Sequence, residues 1–322
     1  QGTAADVNKG LGILEAEASA GNADASQFLG DIYSNDDFIP HEAPKMLGFL
    51  EKGAAQNDIG STLRLARLYR DGKIIKKNAK KSVELYNLAI KLGSDQAKLE
   101  FADGNIDGRF GKFSNVKKGI ESLELLASNG GERAQVSLAN RYIFGKGFKK
   151  APLRGLTILS EESAKGNIIA TKRLISLYRD GVDGAVAPSY AKANQYIGAL
   201  QNKADRGGIA VEKFLLAARF ARTAQEYELV SQNFYNLPIA YLDSAIRSLQ
   251  WVNLNSYVYI LQTEMNKRGF LKINPNGMLN SSTVKSFYEM CRINLDSTKC
   301  LSGPLSEENI RQVGIFFQKD LW

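Results

Sequence analysis

A single histidine, His41, stands among 322 residues, with only two cysteines, Cys291 and Cys300. That scarcity removes most metal and nucleophile chemistry, because a zinc site needs several Cys or His ligands close together and His41 is remote from both cysteines. The chain also lacks a phosphate-cradling G-x-x-x-x-G-K loop, a nucleophile elbow and any metal-ligand spacing. No catalytic, cofactor-binding or metal-binding residue is therefore assigned, and no cofactor is expected. The segment DGNIDGRFG, residues 103–111, is glycine-rich and acidic, yet it has neither the oxygen-ligand spacing nor the closing Glu of a calcium loop. It reads as an irregular turn. Acidic pairs such as Glu161-Glu162 and Glu307-Glu308 fall on helix faces or first turns and need no catalytic explanation. Carboxylates that meet only in space, as in a glycosidase, are the one catalytic class a linear reading leaves open.

Proline is scarce too, with 7 in the chain, which suits a mostly helical protein because an interior proline breaks a helix. No run of 18 apolar residues occurs, so no membrane-spanning helix is expected. The balance of 44% hydrophobic and 24% charged residues is that of an ordinary folded chain, long enough for two domains. The chain begins Gln-Gly-Thr-Ala-Ala without Met, as expected of a processed or trimmed sequence, so any lipid anchor would lie ahead of Gln1.

What the sequence does contain is a repeat. Stepping forward by 36 or 37 residues returns Tyr33, Tyr69, Tyr142 and Tyr178; Leu29, Leu65, Phe101, Leu138 and Leu174; and Ala25, Ser61, Ala97, Ala134 and Ala170. A further column reads Leu50, Tyr86, Leu123 and Leu159, and each unit closes on Gly21, Asn57, Gly93, Gly130 or Gly166. Gly or Asn just past a helix is the usual left-handed stop. Each unit then reads as two antiparallel helices, in which small residues let backbones approach and large ones interlock with the next pair. The tyrosines and leucines read as core residues.

The segments FLGDIYSND, RLARLYRDG, SLANRYIFGKG and RLISLYRDG, with the closing small residues and glycines, resemble the Sel-one-like repeat, a relative of the tetratricopeptide repeat. The resemblance covers about Asp6 to Gly208. It implies an all-α fold: a right-handed α-solenoid of helix-turn-helix repeats, followed by a small helical C-terminal module. The unit near Ser94 departs from the pattern, with Asn105 in place of Tyr, and a distorted repeat is expected there. Helical stretches after Gly208 would cap or continue the solenoid, the second of them opening at Pro238 as a first-turn proline. The boundaries expected are 1–208, 209–252 and 253–322.

Within the last segment, Leu261, Gln262, Gly269, Phe270, Pro275, Gly277, Thr283 and Phe287 resemble the pattern of a peptidoglycan-binding-type helical module, with Asn276-Gly277 standing where Asp-Gly is usual. The resemblance implies a compact helical unit, and glycan binding as one use of it. Cys291 and Cys300 lie close enough to close a small loop; a disulfide there would fit an oxidising compartment such as a periplasm, and a reduced pair in a cytosol is the alternative.

Lys and Arg exceed Asp and Glu by 42 to 34, a net charge of +8. The excess gathers in the loops between the helices of successive repeats, at Lys73, Lys76, Lys77, Lys80 and Lys81, then Lys112, Lys117 and Lys118, then Lys146, Lys149, Lys150 and Arg154. Stacking would align these into a basic stripe able to attract a polyanion or an acidic protein surface; the plainer reading is a solvated edge. The loops lack interleaved aromatics for base stacking, so nucleic acid is not expected. Outward positions on the first helix of each unit, Arg67, Arg70, Asn140 and Arg179, are expected to line a partner-binding groove. Three functions fit: a periplasmic scaffold, anchored at the outer membrane, for polysaccharide export; a periplasmic regulator restraining a signalling partner; or a cell-wall protein docking on peptidoglycan.

Overall fold

A computed structural model of the chain describes residues 4–33, 43–200, 204–294 and 300–320. His41 lies outside them. Among the described residues there are seventeen α-helices and no β-strand, so the chain is all-α. It divides into two compact units, residues 1–155 and 156–322.

In the first unit, α1 (Ala4–Ser19), α2 (Ala23–Tyr33), α3 (Ala43–Ala55), α4 (Ile59–Asp71), α5 (Ala79–Lys91), α6 (Asp95–Ile106), α7 (Val116–Ser128) and α8 (Glu132–Phe144) follow one another, and α9 (Pro152–Lys165) begins. From α1 to α8 each helix packs on the next in sequence, and α2 on α4 and α6 on α8 as well. That is the contact pattern of stacked hairpins rather than of a globule closed on itself.

The period read from the sequence is the period of the packing. Ala25, Ser61, Ala97, Ala134 and Ala170 are all buried, and so are Leu50, Tyr86, Leu123 and Leu159. The small column lets neighbouring helices approach, and a larger side chain there would not fit. The closing residues Gly21, Asn57, Gly93, Gly130 and Gly166 all have positive φ. Asn57, at φ 63°, is the one non-glycine residue in that region among those described. Next to this left-handed turn stands a capping side chain: Asn22, Asp58, Ser94 and Asn167 each accept a main-chain N–H three residues on.

The second unit continues with α10 (Ile168–Asp180), α11 (Tyr190–Ala199), α12 (Arg206–Phe220), α13 (Ala224–Tyr235), α14 (Ile239–Val252), α15 (Leu254–Lys267), α16 (Ser281–Asn294) and α17 (Glu307–Asp320). Pro238 stands at the N-cap position, one residue before α14, rather than in its first turn. The boundaries expected at 208 and 252 are not where the core divides. Leu216 of α12 packs with Ile175, Ala193, Ile197 and Leu200, and one buried cluster runs from Phe214 through Leu249 and Tyr257 to Phe317. Among the described residues the C-terminal segment shares this core with α12 to α14. The reason is that α14 lies against α17 and α13 against α15, so neither set of helices is covered without the other.

Cys291 and Cys300 are joined by a disulfide, which closes the end of α16 onto the turn before α17.

Candidate interaction surface

The four positions expected to line a groove have partners within the protein. Arg67 grips Glu100 with two hydrogen bonds, from Nε at 2.9 Å and from Nη2 at 2.5 Å, linking α4 to α6. Arg70 donates to both carboxylate oxygens of Asp71 and to the hydroxyl of the fully buried Tyr86, which in turn donates to Glu100. Burial alone would push the Glu100 carboxyl up, yet Arg67, Gln96 and Tyr86 together hold it below its ordinary range. Arg179 is 8% exposed and pairs with Asp180 and, at 3.4 Å, with Glu212 of α12. Asn140 is half-buried and also has interactions within the protein.

A residue the sequence reading passed over does the same work. Arg141, 7% exposed, reaches back from α8 to Asp103 at 2.9 Å and to Asp107 at 2.5 Å. Together with Arg64–Asp31 at 3.5 Å, these pairs join first helices of neighbouring repeats across 33 to 38 residues. The signal for them was in the sequence, as Arg and Asp or Glu separated by about one period, but nothing linear says that such charges face each other rather than solvent.

The lysines behave differently. Lys73, Lys76, Lys77, Lys80, Lys112, Lys117, Lys118, Lys146, Lys149 and Lys150 are exposed. Lys81 is the exception: it pairs with Glu51 at 3.3 Å and donates to the Tyr69 hydroxyl at 2.8 Å, which raises its pKa. Arg154 lies 4.2 Å from the centre of the Tyr142 ring. Within the first unit the basic loops are neighbours: Arg109 of the second acts on Asp71 at the start of the first, and Arg141 spans Asp107 and the Lys146 carbonyl, joining the second to the third.

The repeat near Ser94 is altered at its end rather than lost. Asn105 is buried; its amide donates to the Phe101 carbonyl at 2.8 Å and accepts the Asn115 N–H at 2.7 Å. Phe110, fully buried, packs against Phe101 and edge-on to Tyr86, above Gly104, where a Cβ would meet its ring at 2.6 Å. Between α5, α6 and α7 a cleft of about 530 Å³ remains, lined by Ile90, Phe101, Asn105, Lys118, Ser122 and Leu126 among others.

In the C-terminal segment the residues that resemble a peptidoglycan-binding pattern serve a turn. Gln262, fully buried, accepts the N–H groups of Asn276 and Gly277 at 2.9 and 2.8 Å and donates to Met278 O and to Thr283 Oγ1. Leu261, Thr283 and Phe287 are buried around it. Gly277 has φ 77°, and a Cβ there would meet the Asn255 carbonyl at 2.9 Å.

Buried columns, left-handed stops and capping side chains thus recur at one spacing through the first unit and into the first helices of the second. The repeats resemble the Sel-one-like kind. No family model and no curated protein matches the chain. Among solved structures, it is similar to a Sel1 repeat protein from Oxalobacter formigenes, with 20% identity over 62% of this chain and 77% of that one and a TM-score of 0.41. It is also similar to a protective antigen of uropathogenic Escherichia coli strains with an SLR fold, with 15% identity over 96% of this chain and 85% of that one and a TM-score of 0.29. The resemblance to the Sel-one-like repeat rests on the chain's own columns. Among the described residues no group of His, Cys, Asp and Glu could hold a metal ion, and no helix is long and apolar enough to cross a membrane.

Proposed function

We propose that the chain is a non-catalytic scaffold of the bacterial cell envelope, whose repeats hold protein partners and whose basic edge meets an acidic polymer or acidic protein surface in support of polysaccharide export or assembly. The carrying observation is a division of labour among its cations. The arginines of the first helices are consumed by inter-repeat pairs, whereas the loop lysines of the first unit stand exposed on loops that neighbour one another. Cations left in water are a weak contribution to stability and a strong one to long-range attraction. The Cys291–Cys300 disulfide supports an oxidising compartment, as a periplasm is.

The test is cross-linked capture in native cells with the tagged chain beside a variant in which Lys76, Lys77, Lys117, Lys118, Lys149 and Lys150 are changed to Glu. Recovery of an outer-membrane export barrel or polysaccharide machinery by the parent, reduced in the variant and weakened by salt, is the expected result. A partner set dominated by a membrane sensor would favour a regulator instead. Capture indifferent to both the substitutions and salt would remove the basic edge from the proposal.

A further inference from the structure

Each repeat places a cation at the start of its second helix, at Lys45, Lys81, Lys118, Arg154 and Lys192, and four residues on a side chain on the same face, at Phe49, Leu85, Ser122, Ile158 and Tyr196. The first column is never without positive charge. The second is large and apolar or aromatic everywhere except at Ser122.

The partner of that cation is the tyrosine that ends the preceding first helix. Lys45 lies 5.6 Å from the centre of the Tyr33 ring, Lys81 lies 4.5 Å from that of Tyr69, Arg154 lies 4.2 Å from that of Tyr142, and Lys192 lies 5.0 Å from that of Tyr178. The ring also stacks on the second column where that residue is aromatic: Tyr33 on Phe49 at 6.1 Å and Tyr178 on Tyr196 at 5.9 Å. In four repeats, then, a phenol ring meets the cation, and in two of them it also stacks on the aromatic side chain of the second column.

In the remaining repeat two changes coincide. The tyrosine is Asn105 and the apolar side chain is Ser122, while the cation, Lys118, is kept. The ring slot is emptied from both sides, and the cleft between α5, α6 and α7 contains all three of these residues. Phe110 does not refill it, since that ring goes to Tyr86 and Gly104. The Asn105 amide in its lining makes no demand on a ligand, because it is satisfied at both ends. What remains is an apolar and aromatic wall, Ile90, Phe101, Leu126 and the 41%-exposed Phe113, with two lysines beside it: Lys118, and Lys98, which is paired with Asp95 at 2.7 Å.

From this juxtaposition we infer that the cleft between α5, α6 and α7 binds an aromatic side chain of a partner polypeptide, seated under Lys118 in the slot that the other repeats fill with their own tyrosine. The occupant is set by the molecule's own precedent: the same cation on the same helix turn takes a phenol ring in every other repeat. A cleft of about 530 Å³ accommodates one aromatic residue and its flanking backbone. An aliphatic side chain would bury similar area but forgo the attraction between the ammonium and the ring face. The inference rests on the scaffold reading only in taking the ligand to be a polypeptide.

Titration of the full chain with N-acetyl-tyrosinamide, followed by methyl NMR of Leu125 and Leu126, tests it. Saturable shifts at these methyls are expected, with N-acetyl-leucinamide binding at least roughly twofold more weakly. Lys118→Met should weaken the tyrosine probe by roughly two- to fivefold, in keeping with a cation–ring contact, and Ser122→Phe, which refills the slot from the exposed side, should abolish the shifts. Absence of saturable shifts, equal binding of the leucine probe, or an unchanged affinity in Lys118→Met would each overturn the inference. Because this readout involves neither the loop lysines other than Lys118 nor any cellular partner, the cleft and the basic edge can fail separately.

Discussion

The side-chain oxygen of Asn105 accepts the main-chain N–H of Asn115 at 2.7 Å, and so takes over a bond that other repeats make with main chain alone. There, Asn78, Ala151 and Ser189 donate to the carbonyls of Tyr69, Tyr142 and Tyr178 at 2.9, 2.8 and 2.6 Å. The tyrosine was exchanged for the residue whose short amide can both hold the Phe101 carbonyl and reach the next helix. Asn105→Leu should therefore cost about 1–2 kcal/mol, with the unfolding midpoint in urea as the measure. A midpoint equal to the parent's would show that the amide is dispensable.

Arg141 is the sole cation bridging Asp103 and Asp107 among the described residues, and it is more buried than either. Replacing it by Met should cost about 1–3 kcal/mol at neutral pH, since two half-buried carboxylates lose the cation they share. Burial works to raise the Asp107 carboxyl, but Arg141 and Arg109 outweigh it and hold its pKa below the ordinary 3.8. A carboxyl with a depressed folded-state pKa contributes stability above its unfolded pKa and loses it as pH falls through the folded value. The gap between the parent and Arg141→Met should accordingly narrow below about pH 4, as read from denaturation midpoints across that range.

Asn57 occupies, at φ 63°, a conformation that the equivalent positions give to glycine. Asn57→Ala should destabilise the first unit by about 1 kcal/mol, because a Cβ-bearing residue without a local polar compensation is disfavoured there. Asn57→Gly should be neutral or stabilising. Calorimetry of the two variants side by side gives the sign, and an Ala variant at least as stable as the Gly variant would contradict the left-handed stop.

Gln262 fixes the turn before α16 through one side chain. Gln262→Leu keeps most of the volume but strands the N–H groups of Asn276 and Gly277, so a loss of at least about 2 kcal/mol is expected. Hydrogen exchange at those two amides, slow in the parent and fast in the variant, would locate the effect. Slow exchange in both would mean that the turn is held by other contacts.

The repeat was legible because its signals are local and periodic: small residues where backbones meet, Gly or Asn where the chain must turn left-handed, and apolar side chains at helical spacing all recur every 36 or 37 residues. The same spacing marked Asn105 as the odd unit, and a separation of nine residues marked Cys291 and Cys300 as a pair close enough to bridge. Tertiary structure alone decided which charges are used up. Arg67, Arg70, Arg179 and the loop lysines look equivalent in the sequence, but whether a cation meets a carboxylate depends on how the next repeat stacks beside it. It also decided that α12 to α17 share one core, and that Asn105, Lys118 and Ser122, a tyrosine's absence and two neighbours from another helix, enclose a single cleft. Periodicity specifies what each position is; only packing specifies what it faces.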